Sequence, residues 1–243
     1  MGALILGPSQ PAVLVAGGAG EATSNAVRGA LGGAVTAMGQ TAKVEDVRPL
    51  PESDPHGVVP FFLVLGVSIS ALIYQILASF MVERASLGAR VGAMVGFAVL
   101  DGLIAGVAVG LVLGFDASFW PLAVVCGALA FAIVAATAAL QAAFGRPGIG
   151  ISALFVVILG AATSGSIVGP DFLPDAFRSL SPVLPSGAAL SAVRGALYFD
   201  AAGLASPLLV LSGWVVVSVA IVAGLGAWRT HRTSARQARF AAA

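Results

Sequence analysis

The sequence predicts an all-α polytopic membrane protein with five transmembrane helices. It also predicts a small extracytoplasmic α/β segment before them and an interfacial helical hairpin before the last span. Hydrophobic residues make up 58% of the 243 residues and charged residues only 9%, whereas a soluble domain carries about 25% charged residues. Five apolar stretches lack Lys and Arg and are long enough to cross a bilayer. The lipid bilayer is therefore the first partner that the sequence predicts.

Residues 1–57 are predicted to form the extracytoplasmic α/β segment and a proline-rich linker. Short β-strands are expected at about 11–16 and 42–47, with a helix at about 21–38 between them. The turn before this helix, at 17–20, is rich in glycine but lacks the full G-x-G-x-x-G pattern. We interpret it as a strand-to-helix turn and not as a nucleotide site. Four prolines then predict a stiff connection into the membrane: Pro49, Pro51, Pro55 and Pro60.

The transmembrane domain is predicted to cover residues 58–228. Its spans run over about 58–82, 91–113, 121–144, 149–168 and 207–228. A helix rises 1.5 Å per residue, so about 20 residues cross the hydrocarbon core. The third and fourth spans are separated by only four residues, which predicts an antiparallel hairpin.

The distribution of basic residues predicts the orientation in the cell (plasma) membrane. The segments 83–90 and 145–148 and the tail 229–243 carry only one acid, Glu83, beside seven arginines: Arg84, Arg90, Arg146, Arg229, Arg232, Arg236 and Arg239. Short loops rich in Lys and Arg stay cytoplasmic. The N-terminus is then outside. Because an outside N-terminus normally needs a signal peptide or a preceding span, we expect this chain to be a fragment, or a start-site variant, of a longer protein with one more N-terminal span. The alternative is a short N-terminal segment that is translocated without a signal.

The second span carries two sets of glycines spaced by four. The first set is Gly88, Gly92 and Gly96, and the second is Gly102, Gly106, Gly110 and Gly114. Residues four apart share one helix face, so each set predicts a groove that another helix can approach closely. The alternative interpretation is a helix that slides against a neighbour during transport.

Asp101 is the one acid inside a predicted span. A carboxylate in hydrocarbon costs a few kcal/mol, roughly, even on insertion scales, so it should face protein or water. One interpretation is structural, with a hydrogen bond to Ser or Thr on a neighbouring helix. The other is a proton or cation relay in a transport path.

The outside loop at 169–206 is rich in proline and half apolar. Within it, residues 186–199 have helical spacing that places Leu190, Val193, Leu197 and Tyr198 on one face. This pattern predicts short helices that lie at the outer interface or dip into it.

Catalysis and nucleic-acid binding find no support in the sequence. His56 and His231 are predicted on opposite sides of the membrane, and no cluster has metal-ligand spacing. The single cysteine, Cys126, forms no disulfide within the chain. The net charge of +1 lacks the clustered basic face that phosphate backbones require. We therefore expect no enzyme activity, cofactor, metal or nucleic-acid partner.

The C-terminal half resembles the type-2 ABC exporter permeases. Three patterns carry the resemblance: Leu180-Ser181-Pro182, Leu184-Pro185 and Ala192-Val193-Arg194-Gly195. The acidic, proline-rich entry at 49–57 is similar to the bacterial branch related to the phage-infection protein. Members of that branch have an N-terminal span, a large outside domain and five further spans.

The resemblance implies a permease-like subunit that moves a hydrophobic or amphipathic substrate outward as a homodimer or heterodimer. It implies an exit-side gate at Pro182, Pro185 and Arg194, and contacts to a separate ABC ATPase near Arg84 and Arg90. The 83–90 loop is shorter than the charged segment with which related permeases engage an ATPase. The alternatives are a non-transporting scaffold or receptor and an ion-driven efflux protein using Asp101.

Overall fold

The computed structural model describes residues 2–5, 11–81, 86–114, 119–163 and 174–241. Within these ranges the chain is mostly helical, with one small sheet. The N-terminal elements are β1 (Gly2–Ile5), β2 (Ala12–Val15), a 3₁₀ turn (Gly17–Ala19), α1 (Glu21–Ala37) and β3 (Lys43–Asp46). The helices that follow are α2 (Val59–Met81), α3 (Leu87–Leu113), α4 (Phe119–Phe144), α5 (Pro147–Ser152), a π-helical segment (Ala153–Leu159), α6 (Gly160–Thr163), α7 (Asp175–Leu180), α8 (Pro185–Tyr198) and α9 (Ala205–Ala241).

The N-terminal segment is a small α/β unit. Strand β2 pairs antiparallel with β1 and parallel with β3, so β2, α1 and β3 form one βαβ crossover. Val13, Val15 and Val35 are buried between the sheet and the helix. The strand, helix and second strand that the sequence predicts are present, and β1 is an additional strand.

Among the described residues, four helices are long and apolar enough to cross a membrane: α2, α3, α4 and the first 25 residues of α9. Helix α4 lies at the centre of the bundle. In its most apolar stretch 72% of the residues are buried, compared with 11% in that of α9. It packs against α2, α3, α5, α8 and α9. Its sequence is apolar on every face, as expected for a helix enclosed by others.

The fourth predicted span, at 149–168, is helical from Pro147 to Thr163 among the described residues. Its middle part is π-helical over Ala153–Leu159, and residues 164–168 lie outside the described part of the chain. The described helical stretch is shorter than the four long helices. The described residues therefore contain four helices of spanning length, and the fifth span stays a prediction.

Helix α8 inserts among the long helices, whereas α7, which precedes it, is exposed. Helix α8 packs against α2, α4 and α9, and nearly all of its residues are buried, not only the predicted apolar face. The indole N–H of Trp214 donates to the carbonyl of Val183, 2.8 Å away. Since Trp214 follows the start of α9 by nine residues, the start of α8 lies about 14 Å along that helix. Helix α8 therefore dips among the spans and does not lie flat on an interface.

Close packing of α3 on α4 depends on glycine. A Cβ on Gly102 would overlap the carbonyl oxygen of Ala123, and a Cβ on Gly127 would lie 3.0 Å from the carbonyl oxygen of Ala98. A Cβ on Gly106 would lie 3.1 Å from the Phe119 ring. Part of the second predicted glycine groove is therefore filled by α4.

The remaining glycines of α3 have different surroundings. A Cβ on Gly92, Gly96 or Gly110 would meet no described atom within 4 Å. Gly114 ends α3 in the left-handed conformation with φ +68°, which favours glycine. The contacts predicted for Gly92, Gly96 and Gly110 are therefore not made within the described part of this chain.

Replacing Gly102 with leucine is expected to lower the free energy of unfolding by about 1–3 kcal/mol, because the side chain would force α3 away from α4. Gly92→Leu is the matched control and should change it by about 0.5 kcal/mol or less. A thiol-reactive fluorescent dye measures unfolding here, since the single cysteine, Cys126, is buried. Equal melting of the two variants would contradict this packing.

Candidate functional site

A cleft of about 640 Å³ opens between the N-terminal segment, the α7–α8 hairpin and the start of α9. Three parts of the chain that are distant in sequence meet there. Its walls include Thr23, Arg178, Pro182, Ser191, Arg194 and Val210. The cleft lies at the end of the molecule where α2 and α9 begin and where α8 ends.

Asp54 fixes the N-terminal segment to this end of the helices. Its side chain is 2% exposed and accepts hydrogen bonds from the backbone N–H groups of Val58 (2.9 Å) and Val59 (3.2 Å). The hydroxyl of Tyr198, the last residue of α8, donates to Asp54 Oδ2 at 2.5 Å. Asp54 therefore caps the start of α2 and holds it beside the end of α8.

The glycine-rich turn packs against the same end of α8. A Cβ on Gly18 would lie 2.8 Å from Cβ of Tyr198, so glycine is needed for this close approach. The backbone N–H of Gly17 donates to Asp46 Oδ1 at 2.9 Å. A further ion pair joins Arg48 to Asp200 at 2.7 Å, in the turn between α8 and α9. The turn thus brings the α/β unit onto the membrane helices.

Arg194 projects from α8 into the cleft. Burial lowers the pKa of its guanidinium, and neighbouring Tyr198 acts in the opposite direction. An arginine stays charged in proteins because its ordinary pKa lies so far above neutrality. A Cβ on Gly20 would lie 4.0 Å from Nη2 of Arg194. The cleft therefore holds a partly buried positive charge beside the glycine-rich turn.

The structure brings two of the three predicted gate residues into one wall. Pro182 and Arg194 line the cleft, whereas Pro185 is the buried first residue of α8 and is not among the lining residues. Sequence reasoning missed Arg178 and Thr23. Arg178 lies in α7 and Pro182 in the turn after it, so no helical spacing links the two. Thr23 carries no local signal either, because α1 meets the cleft only through the tertiary fold.

Asp101 lies midway along α3, away from the cleft lining. Ser70 on α2 donates a hydrogen bond to its Oδ1 at 2.9 Å. The other oxygen, Oδ2, is buried and has no hydrogen-bond partner among the described residues. The hydrogen bond to a serine on a neighbouring helix agrees with the structural interpretation. A role in a transport path stays a prediction.

The opposite end of the helices carries the predicted ATPase contact. Arg84 lies outside the described residues. Arg90 lies in the first turn of α3, beside Tyr74 and Gln75 of α2. Arg229 is at the same end, where its guanidinium donates to the carbonyl of Ala142 at 2.5 Å. This end is separated from the cleft by the length of the spanning helices.

Metal ligands do not cluster in the described ranges, which contain no group of three or more His, Cys, Asp or Glu able to hold an ion. Compared with known proteins, the chain matches no family model, no curated protein and no solved structure. The function has to be inferred from the residues and their geometry.

Replacing Tyr198 with phenylalanine tests the bond to Asp54. We expect the free energy of unfolding at pH 8 to fall by about 1.5–3 kcal/mol, because a buried carboxylate loses a donor. Burial raises the pKa of the Tyr198 phenol, and the bond to Asp54 raises it further. The stability that this phenol contributes is therefore present below about pH 10, the pKa of a tyrosine in the unfolded chain. It is lost as the pH rises towards the higher pKa of Tyr198 in the folded protein.

The measurement is thermal unfolding followed by circular dichroism from pH 8 to pH 11. The difference between wild type and Tyr198→Phe should shrink above about pH 10. Phe199→Leu is a neighbouring control that leaves the phenol in place and should keep the wild-type pH dependence. A difference that is constant with pH would contradict the proposed coupling.

Proposed function

We propose that this chain is the permease-like membrane subunit of an exporter, moving a hydrophobic or amphipathic substrate out of the cell. The observation that supports the proposal most directly is the cleft, which contains two of the three residues expected at the exit gate. Pro182 and Arg194 share its wall although they come from different parts of the α7–α8 hairpin. The chain is proposed to work as a homodimer or a heterodimer with a similar permease.

The walls of the cleft suit an amphipathic substrate. Phe199 and Val210 contribute apolar surface, and Arg178 and Arg194 contribute charge. Since α8 starts about 14 Å along α9, the hairpin reaches the depth of the lipid chains. A substrate leaving the bilayer beside α9 would meet the hairpin before it reached water.

The proposed gate is the hairpin itself. All six residues of α7 are exposed, so few packing contacts hold this helix in place. The bond from Trp214 to Val183 ties the turn between α7 and α8 to α9. Movement of this turn away from α9 would open the cleft towards the membrane.

The orientation is proposed to place the cleft outside and Arg90 in the cytoplasm, where a separate ABC ATPase would bind. Met38 at the end of α1 and Arg146 between α4 and α5 are both exposed. In whole cells, an impermeant maleimide should label Met38→Cys, and it should label Arg146→Cys only after the membrane is permeabilised. The native cysteine, Cys126, is buried, so its own labelling by the maleimide should be low. The reverse pattern would contradict this orientation.

Blocking the cleft tests the function. Ser191→Cys places a thiol on an exposed position of the cleft wall, and a bulky impermeant maleimide attached there should reduce efflux of an amphipathic dye by about tenfold or more. Ser179→Cys lies on exposed α7, away from the cleft wall, and is the matched control. Unchanged efflux after complete labelling of Ser191→Cys would contradict a path through the cleft. Efflux that does not depend on this chain at all would favour a scaffold or receptor.

A second candidate is an ion-driven exporter, favoured by the buried Oδ2 of Asp101 without a described partner. Asp101→Asn keeps an oxygen that can accept from Ser70 but cannot carry a proton. Under the leading proposal, efflux persists in this variant and stops when ATP is depleted. Under the ion-driven alternative, efflux is lost in Asp101→Asn and also stops when the ion gradient is collapsed.

A further inference from the structure

Strand β3 forms an edge of the N-terminal sheet, whose strand order is β1-β2-β3. It pairs with β2 along one side, and with no strand along its other side within the described part of the chain. Val44, in the middle of this strand, is 46% exposed, and its neighbours Lys43 and Glu45 are exposed as well. An open strand edge of this kind offers N–H and C=O groups to which another strand can add.

The backbone hydrogen bonds of β3 alternate between its two sides. The N–H groups of Lys43 and Val47 donate to carbonyls at either end of β2, each at 2.9 Å. Successive residues of a strand direct their N–H and C=O groups to opposite sides, so those of Val44 point to the open edge. The same alternation directs the backbone groups of Ala42 and Asp46 to that edge. These three residues are therefore the ones whose backbone can bond to an added strand.

Charge decides the register in which a second copy of β3 fits this edge. If the two strands run antiparallel with Val44 opposite its own copy, the two Val44 residues exchange backbone hydrogen bonds. Lys43 then lies opposite Glu45 of the other copy, once on each side of the Val44 pair. Opposite charges stabilise such a cross-strand pair, and like charges destabilise it.

The two neighbouring registers that keep the same hydrogen-bonding residues are disfavoured. A shift in one direction places Lys43 opposite its own copy, and a shift in the other direction places Glu45 opposite its own copy. Both registers therefore bring like charges together. Lys43 and Glu45 contact each other within one copy at 4.0 Å, but their side chains are 69% and 55% exposed. Such an exposed pair contributes little, so exchanging it for a pair between two copies costs little.

We propose that β3 pairs antiparallel with β3 of a second copy of this chain, which joins the two sheets into one of six strands. A twofold axis would pass between the two Val44 residues, so that both copies contribute the same surface. The proposed exporter is expected to work as a dimer, and this pairing assigns a contact to the homodimer. The pairing itself does not depend on transport.

The contact is small, because residues 42–46 form it from each copy. A stable interface between soluble proteins has about 20–30 residues a side. Copies that share one membrane are confined to the same layer, which raises their effective concentration as a linker does. The pairing is therefore tested in membranes and not in dilute detergent.

A disulfide locates the contact. In Val44→Cys the two thiols face each other, and the Cα atoms of a hydrogen-bonded antiparallel pair lie about 5.5 Å apart, within the reach of a disulfide. Val47→Cys is the matched control, since Val47 is 50% exposed but would lie about 20 Å from its own copy in this register. Mild oxidation of isolated membranes should cross-link Val44→Cys about tenfold more than Val47→Cys. Equal cross-linking of the two, or of neither, would overturn the proposal.

Charge reversal tests the register. Lys43→Glu or Glu45→Lys, each added to Val44→Cys, makes both cross-copy pairs like-charged and should slow disulfide formation by about threefold or more. The two changes alter the charge beside the thiol in opposite directions, so a loss in both reflects pairing and not thiol reactivity. When the two variants are co-expressed with different tags, opposite charges face each other again. The mixed dimer should then form as fast as the Val44→Cys dimer, and a mixed dimer that forms no faster than either variant alone would contradict the register.

Val44→Pro tests the backbone pairing. Proline lacks the N–H that Val44 directs to the open edge, and it leaves the N–H groups of Lys43 and Val47 bonded to β2. Val44→Thr keeps this N–H and is the matched control. Energy transfer between donor-tagged and acceptor-tagged copies in membranes should fall in Val44→Pro to the level of an unrelated membrane protein at equal density, and Val44→Thr should behave as wild type.

Wild-type energy transfer in a folded Val44→Pro would show that another surface joins the copies and would overturn the assignment to β3. None of these measurements involves a substrate. A failed efflux assay therefore counts against the proposed exporter and leaves the pairing of β3 unaffected.

Discussion

The buried carboxylate of Asp54 is the constraint on which the cleft end of the molecule depends. An ionised carboxylate is costly to bury unless several donors satisfy it, and here two backbone N–H groups and one phenol do so. These donors come from the start of α2 and from the end of α8, which are 139 residues apart in sequence from Val59 to Tyr198. The carboxylate therefore aligns the linker, the first span and the inserted hairpin in one place. The close approach of Gly18 to Tyr198 then follows and defines one wall of the cleft.

Small residues determine how the helices below the cleft pack. In lipid, helix association has little hydrophobic driving force and relies on close van der Waals contact and hydrogen bonds. Gly102 and Gly127 let α3 approach α4, and the Ala-rich surface of α4 accepts neighbours on every side. The same property lets α8 enter the bundle, since Gly187, Ala188 and Ala189 need little space. The cleft therefore lies at one end of the bundle, beside the α/β unit.

Local rules predicted part of this fold and could not predict the rest. The long helices follow from hydropathy, because a backbone in lipid must satisfy its hydrogen bonds internally. The βαβ order of the first segment follows from short aliphatic runs beside a glycine-rich turn. The burial of α8 was not predictable, since alanine and glycine on its second face suit an interface as well as a core. Thr23 and Arg178 join Arg194 only through contacts between distant segments, so no local pattern indicates the cleft.

In the proposed exporter, the difference in burial between the two sides of the cleft favours movement of α7. Asp54 and Tyr198 are buried, so separating the α/β unit from α8 would break the hydrogen bond that Tyr198 donates to the Asp54 carboxylate. Helix α7, by contrast, is exposed along its whole length, and its displacement would uncover little apolar surface. Trp214 ties the turn that follows α7 to α9 by a single neutral hydrogen bond, which contributes only about 0.5–1.5 kcal/mol net. We therefore expect opening by the α7 limb against α9, with the α/β unit and the end of α8 remaining together as the fixed wall.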